Sequence, residues 1–268
     1  MNEPPQRKLA VSDILEGGAR LAARRILVFL RITTPLTLPI GLLFAAAVVW
    51  VANSSGSWHS LAIGILATVG VVYAIAAIVS GAACLKVASD AYKSAKPSAR
   101  EAIAMALRRL GPILCLTTLL VLGAAPAIAL LVLPGLTALG NYSLVLLVMA
   151  VFSLWTMGTY SVALPAMLLE EKSIRESLRR SALLARGSFF RALGTVLFGG
   201  VLALFVGALV AIVVSVFSLG GGNVILIVTL VGFVLGELLV APLYVAFLIV
   251  LYGDLRVGIQ ESSAGSAS

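Results

Sequence analysis

One acid, Glu237, falls about halfway along the apolar run 224–251. A carboxyl at mid-membrane depth costs on the order of 2.5–3.5 kcal/mol by insertion scales, so such a residue is a functional-site candidate by default. The chemistry it suggests is carriage of a proton or a cation. Glu237 directly follows Gly236 and stands five positions before Pro242. Pro242 has no N–H and frees the carbonyl of Leu238, which makes a polar, deformable point in a helix. The competing reading is a neutral carboxyl hydrogen-bonded to Thr117, Thr156 or Tyr160 on a neighbouring span. No second intramembrane acid and no buried His completes a relay.

Other chemistry is sparse. The chain has no HExxH, GxSxG, Walker lysine loop, CxxC, or paired acids with a His, so an enzyme is not expected. His59 has no metal-ligand partner at useful spacing, and no cofactor is implied. Cys84 and Cys115 give no disulfide framework and read as small apolar side chains.

The elements that must hold these residues are membrane helices. The chain is 61% hydrophobic and 11% charged, against about 25% charged in soluble domains. Its mean hydropathy is +1.12. Apolar runs cover 28–51, 61–84, 112–134, 143–168, 192–217 and 224–251. Each reaches the ~20 residues that cross a ~30 Å hydrocarbon core as a helix, and none alternates as a barrel strand would. The expected fold is all-α, with six transmembrane helices in three hairpins. Pro35, Pro39 and Pro126 are expected to kink their helices, and the first span to remain uncleaved.

All 19 Lys and Arg fall on one side of this plan, and the loops 52–60, 135–142 and 218–223 have none. Basic residues are retained in the cytoplasm during insertion, so both termini are expected there, in a multi-pass protein of a bacterial cytoplasmic membrane. The net charge of +8 lies beside membrane ends rather than on a folded basic face. Anionic headgroups are therefore the expected partner, not nucleic acid.

Each cytoplasmic segment opens with a helix-start signature: Asp13 to Glu16, Ser98 to Glu101, and Ser173 to Glu176. A small oxygen-bearing side chain with Glu three positions on satisfies free N–H groups. Basic residues follow, giving the candidate headgroup contacts Arg24, Arg25, Arg108, Arg109, Arg179, Arg180 and Arg186. In the third segment Ile174, Leu178, Ala182 and Ala185 form an apolar stripe, and Glu176 and Arg180 stand as an i,i+4 pair. The expected divisions are a basic amphipathic segment 1–27, a membrane domain 28–256 and a flexible polar tail 257–268. Trp50, Trp58 and Tyr142 mark the outer interface, and Tyr92, Phe189, Phe190 and Tyr252 the inner one. Gly199, Ala203, Gly207 and Ala211, with Gly232 and Gly236, supply small stripes for close helix packing.

Two stretches carry a family resemblance. Ala163-Leu164-Pro165-Ala166-Met167-Leu168-Leu169-Glu170 leads into Ser173, Glu176, Arg180, Ser181 and Phe189-Phe190-Arg191. Ala241-Pro242-Leu243-Tyr244 is followed by Leu251-Tyr252-Gly253-Asp254-Leu255-Arg256. With Ile14-Leu15-Glu16 opening a basic helix, they resemble the membrane domain preceding some glycerophosphoryl diester phosphodiesterases, which also occurs alone in multi-span bacterial and archaeal proteins. In fused relatives the chemistry belongs to a separate barrel of about 250 residues. The resemblance thus implies a membrane module without catalytic residues.

The expected function is a non-enzymatic membrane module that engages anionic lipid or a membrane protein partner. The alternative is a small transporter or permease component using Glu237. The topology is testable after Cys84 and Cys115 are replaced. Cysteines introduced at Ser57 or Ser143 should label from outside intact cells, while those at Ser12 or Ser266 should not. External labelling at Ser266 would rule out the six-span plan.

Overall fold

The computed structural model describes residues 9–93, 95, 98–132, 143–216 and 223–265. Among the described residues the regular structure is all helix, with no strand. The helices are α1 (Val11–Asn53), α2 (Ser57–Tyr92), α3 (Ala99–Arg108), α4 (Leu110–Val132), α5 (Ser143–Tyr160), α6 (Ala163–Leu169), α7 (Ile174–Ala185), α8 (Phe189–Val216) and α9 (Asn223–Gly265). Four described stretches are long and apolar enough to cross a membrane: Val11–Asn53, Trp58–Tyr92, Leu147–Leu169 and Val234–Val257. A fifth is reached if α3 and the start of α4, separated by a break at Arg109, are counted together. By length and composition these helices are compatible with a multi-pass membrane protein.

Several boundaries differ from expectation. Helix α1 starts at Val11, before Asp13, and Asp13 is not its N-cap. The Asp13 carboxylate instead accepts the Ala10 N–H at 3.1 Å, reaching back from the first turn. Within α1 the backbone breaks locally at Arg25, whose φ of −123° and ψ of 15° leave the helical region. Pro35 and Pro39 do not interrupt α1, and α4 continues past Pro126. Beside the prolines, Thr33 donates to the Phe29 carbonyl and Thr37 to the Thr33 carbonyl, at 3.1 and 2.8 Å. Intrahelical bonding of this kind lets buried threonines sit in an apolar helix. Helix α9 runs to Gly265, so residues 257–265 continue the helix where a flexible tail was expected.

The chain divides into two compact units. One comprises residues 19–110 and 200–246. In it α3 packs on α2, burying Ala102 and Ala106, one turn apart, where α2 buries Ala83, Cys84, Val87 and Ala88. Gly41 approaches Val234 so closely that a Cβ would stand 2.7 Å from its methyl carbon. Phe44 stacks on Tyr73 with ring centroids 5.7 Å apart. Gly232 and Gly236 are buried, whereas the side-chain surroundings of Ala203, Gly207 and Ala211 lie outside the described residues.

The second unit comprises residues 1–18, 111–199 and 247–268. Its core joins the beginning, middle and end of the chain, through Ile14 of α1, Val162, Ala166 of α6, Leu184 of α7, Ala192 of α8 and Leu251 and Leu255 of α9. Gly18 permits the α1–α9 approach: a Cβ there would meet the Phe247 backbone nitrogen at 3.0 Å. Between α5 and α6 the chain turns at Ser161 and Val162.

Helix α7 is seated differently from its sequence pattern. Its buried residues are Ser177, Ser181, Leu184 and Ala185, whereas Ile174, Leu178 and Ala182 are half-buried. The serines can be buried because both hydroxyls find carbonyls. Ser177 donates to Ser173 at 2.7 Å, and Ser181 crosses to Thr159 at the end of α5 at 2.9 Å. A hydrogen-bonded small polar face thus packs more closely than the apolar stripe would.

Candidate functional site

Two clusters of charge gather where α6, α7, α8, α9 and the start of α1 meet within the second unit. The first is built on Glu170, the C-cap of α6. Glu171 follows with a φ of 54°, in the left-handed region, turning the chain toward α7. Lys172 then reaches back to Glu170 at 2.7 Å, and Arg180, one face of α7 away, contacts the same carboxylate at 3.4 Å. The Tyr252 hydroxyl of α9 donates to Glu170 at 2.5 Å, a short bond to a charged acceptor. Arg180 therefore pairs with Glu170 rather than Glu176. Glu176 closes a capping box with Ser173, accepting its N–H at 3.1 Å while the Ser173 hydroxyl accepts the Glu176 N–H at 3.4 Å.

The second cluster is more deeply buried. The Asp254 side chain is 4% exposed and stands 3.1 Å from Arg191, itself 16% exposed. Asp254 Oδ1 accepts the Leu9 N–H at 2.9 Å, while Arg191 donates to the Leu9 carbonyl at 3.1 Å and to the Ser188 hydroxyl at 2.8 Å. Asp254 Oδ2 has no hydrogen bond of its own, so its contact with Arg191 Nη1 is an ion pair without aligned hydrogen-bond geometry. Both backbone groups of Leu9 are thereby held by side chains far away in sequence.

Electrostatics follow from these contacts. Burial alone would raise the Glu170 pKa, but hydrogen bonds from Lys172 and Tyr252 and the charge of Arg180 outweigh it, and the pKa falls below its ordinary value. The Glu176 carboxyl is also lowered, by the bonds from the Ser173 hydroxyl and N–H. Neither cluster has the pattern of a metal centre, and no group of three His, Cys, Asp or Glu among the described residues could hold a metal ion.

The residues expected from sequence are placed as follows. Glu237 lies on α9, and its side chain lies outside the described residues. Of its suggested partners, Thr156 donates to the Phe152 carbonyl at 2.9 Å and Tyr160 meets the edge of Trp155. The buried Thr117 hydroxyl has no hydrogen-bond partner among the described residues. Arg24, Arg25, Arg108, Arg179 and Arg186 are exposed, and Arg109 is half-buried. Arg180 is half-buried and paired with Glu170. Tyr252 is buried at 5% exposure, so it is not an interface marker, whereas Phe190 is 84% exposed and Trp58 65%. Tyr142 lies outside the described residues. His59 engages the Ser54 hydroxyl at 3.1 Å on the surface.

Sequence reasoning did not single out Glu170, Asp254 or Arg191 as interacting groups. The available signal was their position inside the two stretches that carry the family resemblance, each supplying one side of both clusters. Comparison with known proteins gives no match: no family model, curated protein or solved structure is similar to this chain.

The Glu170 contacts set a pH dependence. A lowered folded-state pKa adds stability that is complete above the unfolded carboxylate range, ~4.3, and is lost as pH falls through the folded-state pKa. Glu170→Gln should cost roughly 1–3 kcal/mol at neutral pH, the usual range when charged hydrogen bonds lose a partner. In detergent melts the difference in Tm from the parent should narrow as pH drops below the ordinary carboxylate range. A constant difference from pH 7 to pH 3 would remove the charge from the explanation.

Proposed function

We propose that this chain is a non-enzymatic membrane module that binds anionic lipid headgroups at its cytoplasmic face. In this reading it crosses a bacterial cytoplasmic membrane six times in three hairpins, with both termini inside. It would then be a free-standing relative of the membrane domain found before some glycerophosphoryl diester phosphodiesterases. The two stretches that carry that resemblance also supply the Tyr252–Glu170 and Arg191–Asp254 contacts, which supports treating them as one structural signature.

The observation that carries the lipid reading is a division among the basic residues. Lys86, Lys172, Arg180 and Arg191 are matched to acids. Arg24, Arg25, Arg108, Arg179 and Arg186 are exposed and in no ion pair among the described residues. Exposed cations beside a membrane end attract anionic headgroups by about 1 kcal/mol each, an attraction screened over a Debye length of ~10 Å at 0.1 M salt.

The test is lipid co-purification. Replacing Arg24, Arg25, Arg108, Arg179 and Arg186 together with Gln should lower the ratio of anionic to zwitterionic lipid retained. Arg180→Gln should leave that ratio unchanged and lower the Tm, since Arg180 neutralises Glu170. An unchanged ratio in the five-residue variant would leave these arginines as topology signals only. In proteoliposomes, pH-dependent solute flux abolished by Glu237→Gln would favour a transporter instead.

A further inference from the structure

The second unit contains an apolar groove of about 410 Å³ between α4 and α5, with Leu178 of α7 also in its lining. That volume lies within the ~300–1,000 Å³ of small-ligand sites. Leu119, Gly123, Phe152, Trp155 and Tyr160 form its walls. Gly123 keeps α4 close to α5, since a Cβ there would meet a Thr156 methyl at 2.7 Å. The hydroxyl of Thr156 is spent on the Phe152 carbonyl, which leaves the Tyr160 hydroxyl and the Trp155 indole N–H as the polar side-chain groups of a mainly apolar wall.

The helix that contributes Leu178 to the groove also carries exposed arginines. On a helix, residues three and four apart share a face. Arg175 stands one turn before Leu178 and Ala182 one turn after it, Arg179 follows Leu178 directly, and Arg186 is the C-cap of α7; all three arginines are exposed. None of the three is in an ion pair among the described residues. Arg180, on the other side of α7, faces Glu170. An apolar trough bordered by a helix that carries three arginines outside any ion pair among the described residues is complementary to one molecule with an alkyl chain and an anionic head. Arg also offers paired donors that fit phosphate oxygens.

We propose that this groove is a specific site for an anionic phospholipid, with one acyl chain along Trp155 and Phe152 and the phosphate at Arg175, Arg179 and Arg186. It rests on the lipid-binding reading above and assigns it a place. The chain contains three Trp, so Trp50→Phe with Trp58→Phe leaves Trp155 as the sole emitter. The full-length double variant is reconstituted in phosphatidylcholine with increasing phosphatidylglycerol brominated on its acyl chains, or with brominated phosphatidylcholine in a parallel series.

Half-quenching of Trp155 should need at least roughly fivefold less brominated phosphatidylglycerol than brominated phosphatidylcholine, the factor expected from one arginine alone. Arg175→Gln with Arg179→Gln and Arg186→Gln should erase that preference while quenching by both lipids persists and the Tm stays at the parent value, which shows the variant still folded and in the bilayer. Glycerol phosphate in solution should not displace the brominated lipid, because the chain holds the groove; displacement would mean that a free phosphate is the ligand and overturn the proposal. Equal quenching by the two lipids would overturn the site, and so would Trp155 shielded from both, since a second copy or another protein would then cover the groove. If co-purified lipid is still enriched in anionic species when the quenching shows no preference, only this site fails. If that enrichment is also absent, the lipid-binding reading fails with it.

Discussion

A carboxylate withdrawn from solvent must be neutralised, and the arrangement of one unit depends on how Asp254 meets that demand. Asp254 sits on the last helix, Arg191 at the start of α8, and Leu9 ahead of α1. Leaving such an acid unpaired would cost several kcal/mol. Arg191 supplies the charge, and the Leu9 N–H supplies a hydrogen bond to the other oxygen. Because Arg191 also holds the Leu9 carbonyl, the beginning of the chain is fixed against two elements about 180 and 245 residues away. Ile14, Ala192, Leu251 and Leu255 then pack into one core around that tie. The Glu170 cluster repeats the solution between α6, α7 and α9, with Tyr252 reaching into it from one turn of α9.

Much of the helical plan is legible in the sequence because it depends on local rules. Ser98 and Ser173 cap α3 and α7 as their spacing to Glu101 and Glu176 implies. Asp13 has the same local signature but acts from within the first turn, since nothing in a four-residue pattern distinguishes a cap from a side chain reaching back to one.

What the sequence does not reveal is decided by partners distant in the chain. The apolar stripe of α7 suggests that Leu178 faces the core, yet Ser177 and Ser181 are buried, because the Thr159 carbonyl offers Ser181 a bond that no local pattern encodes. Glu176 lies one turn from Arg180, but Glu170 is nearly buried and gains more from a cation than the exposed capping residue does. Hydropathy places Tyr252 at an interface. Its bond to Glu170 draws it inside.

The pairing of acids with bases also separates fold from function. If the ties at Glu170 and Asp254 are what hold the unit together, the arginines left exposed are available to lipid. The most direct measurement is a double-mutant cycle of Arg191→Met and Asp254→Asn, read as unfolding free energy of the detergent-solubilised protein. Each single change should cost about 3–5 kcal/mol by stranding a buried partner, and the double variant should cost clearly less than the two together. Strict additivity would mean that the two residues do not act on each other, and the tie between the two ends of the chain would not be what orders this unit.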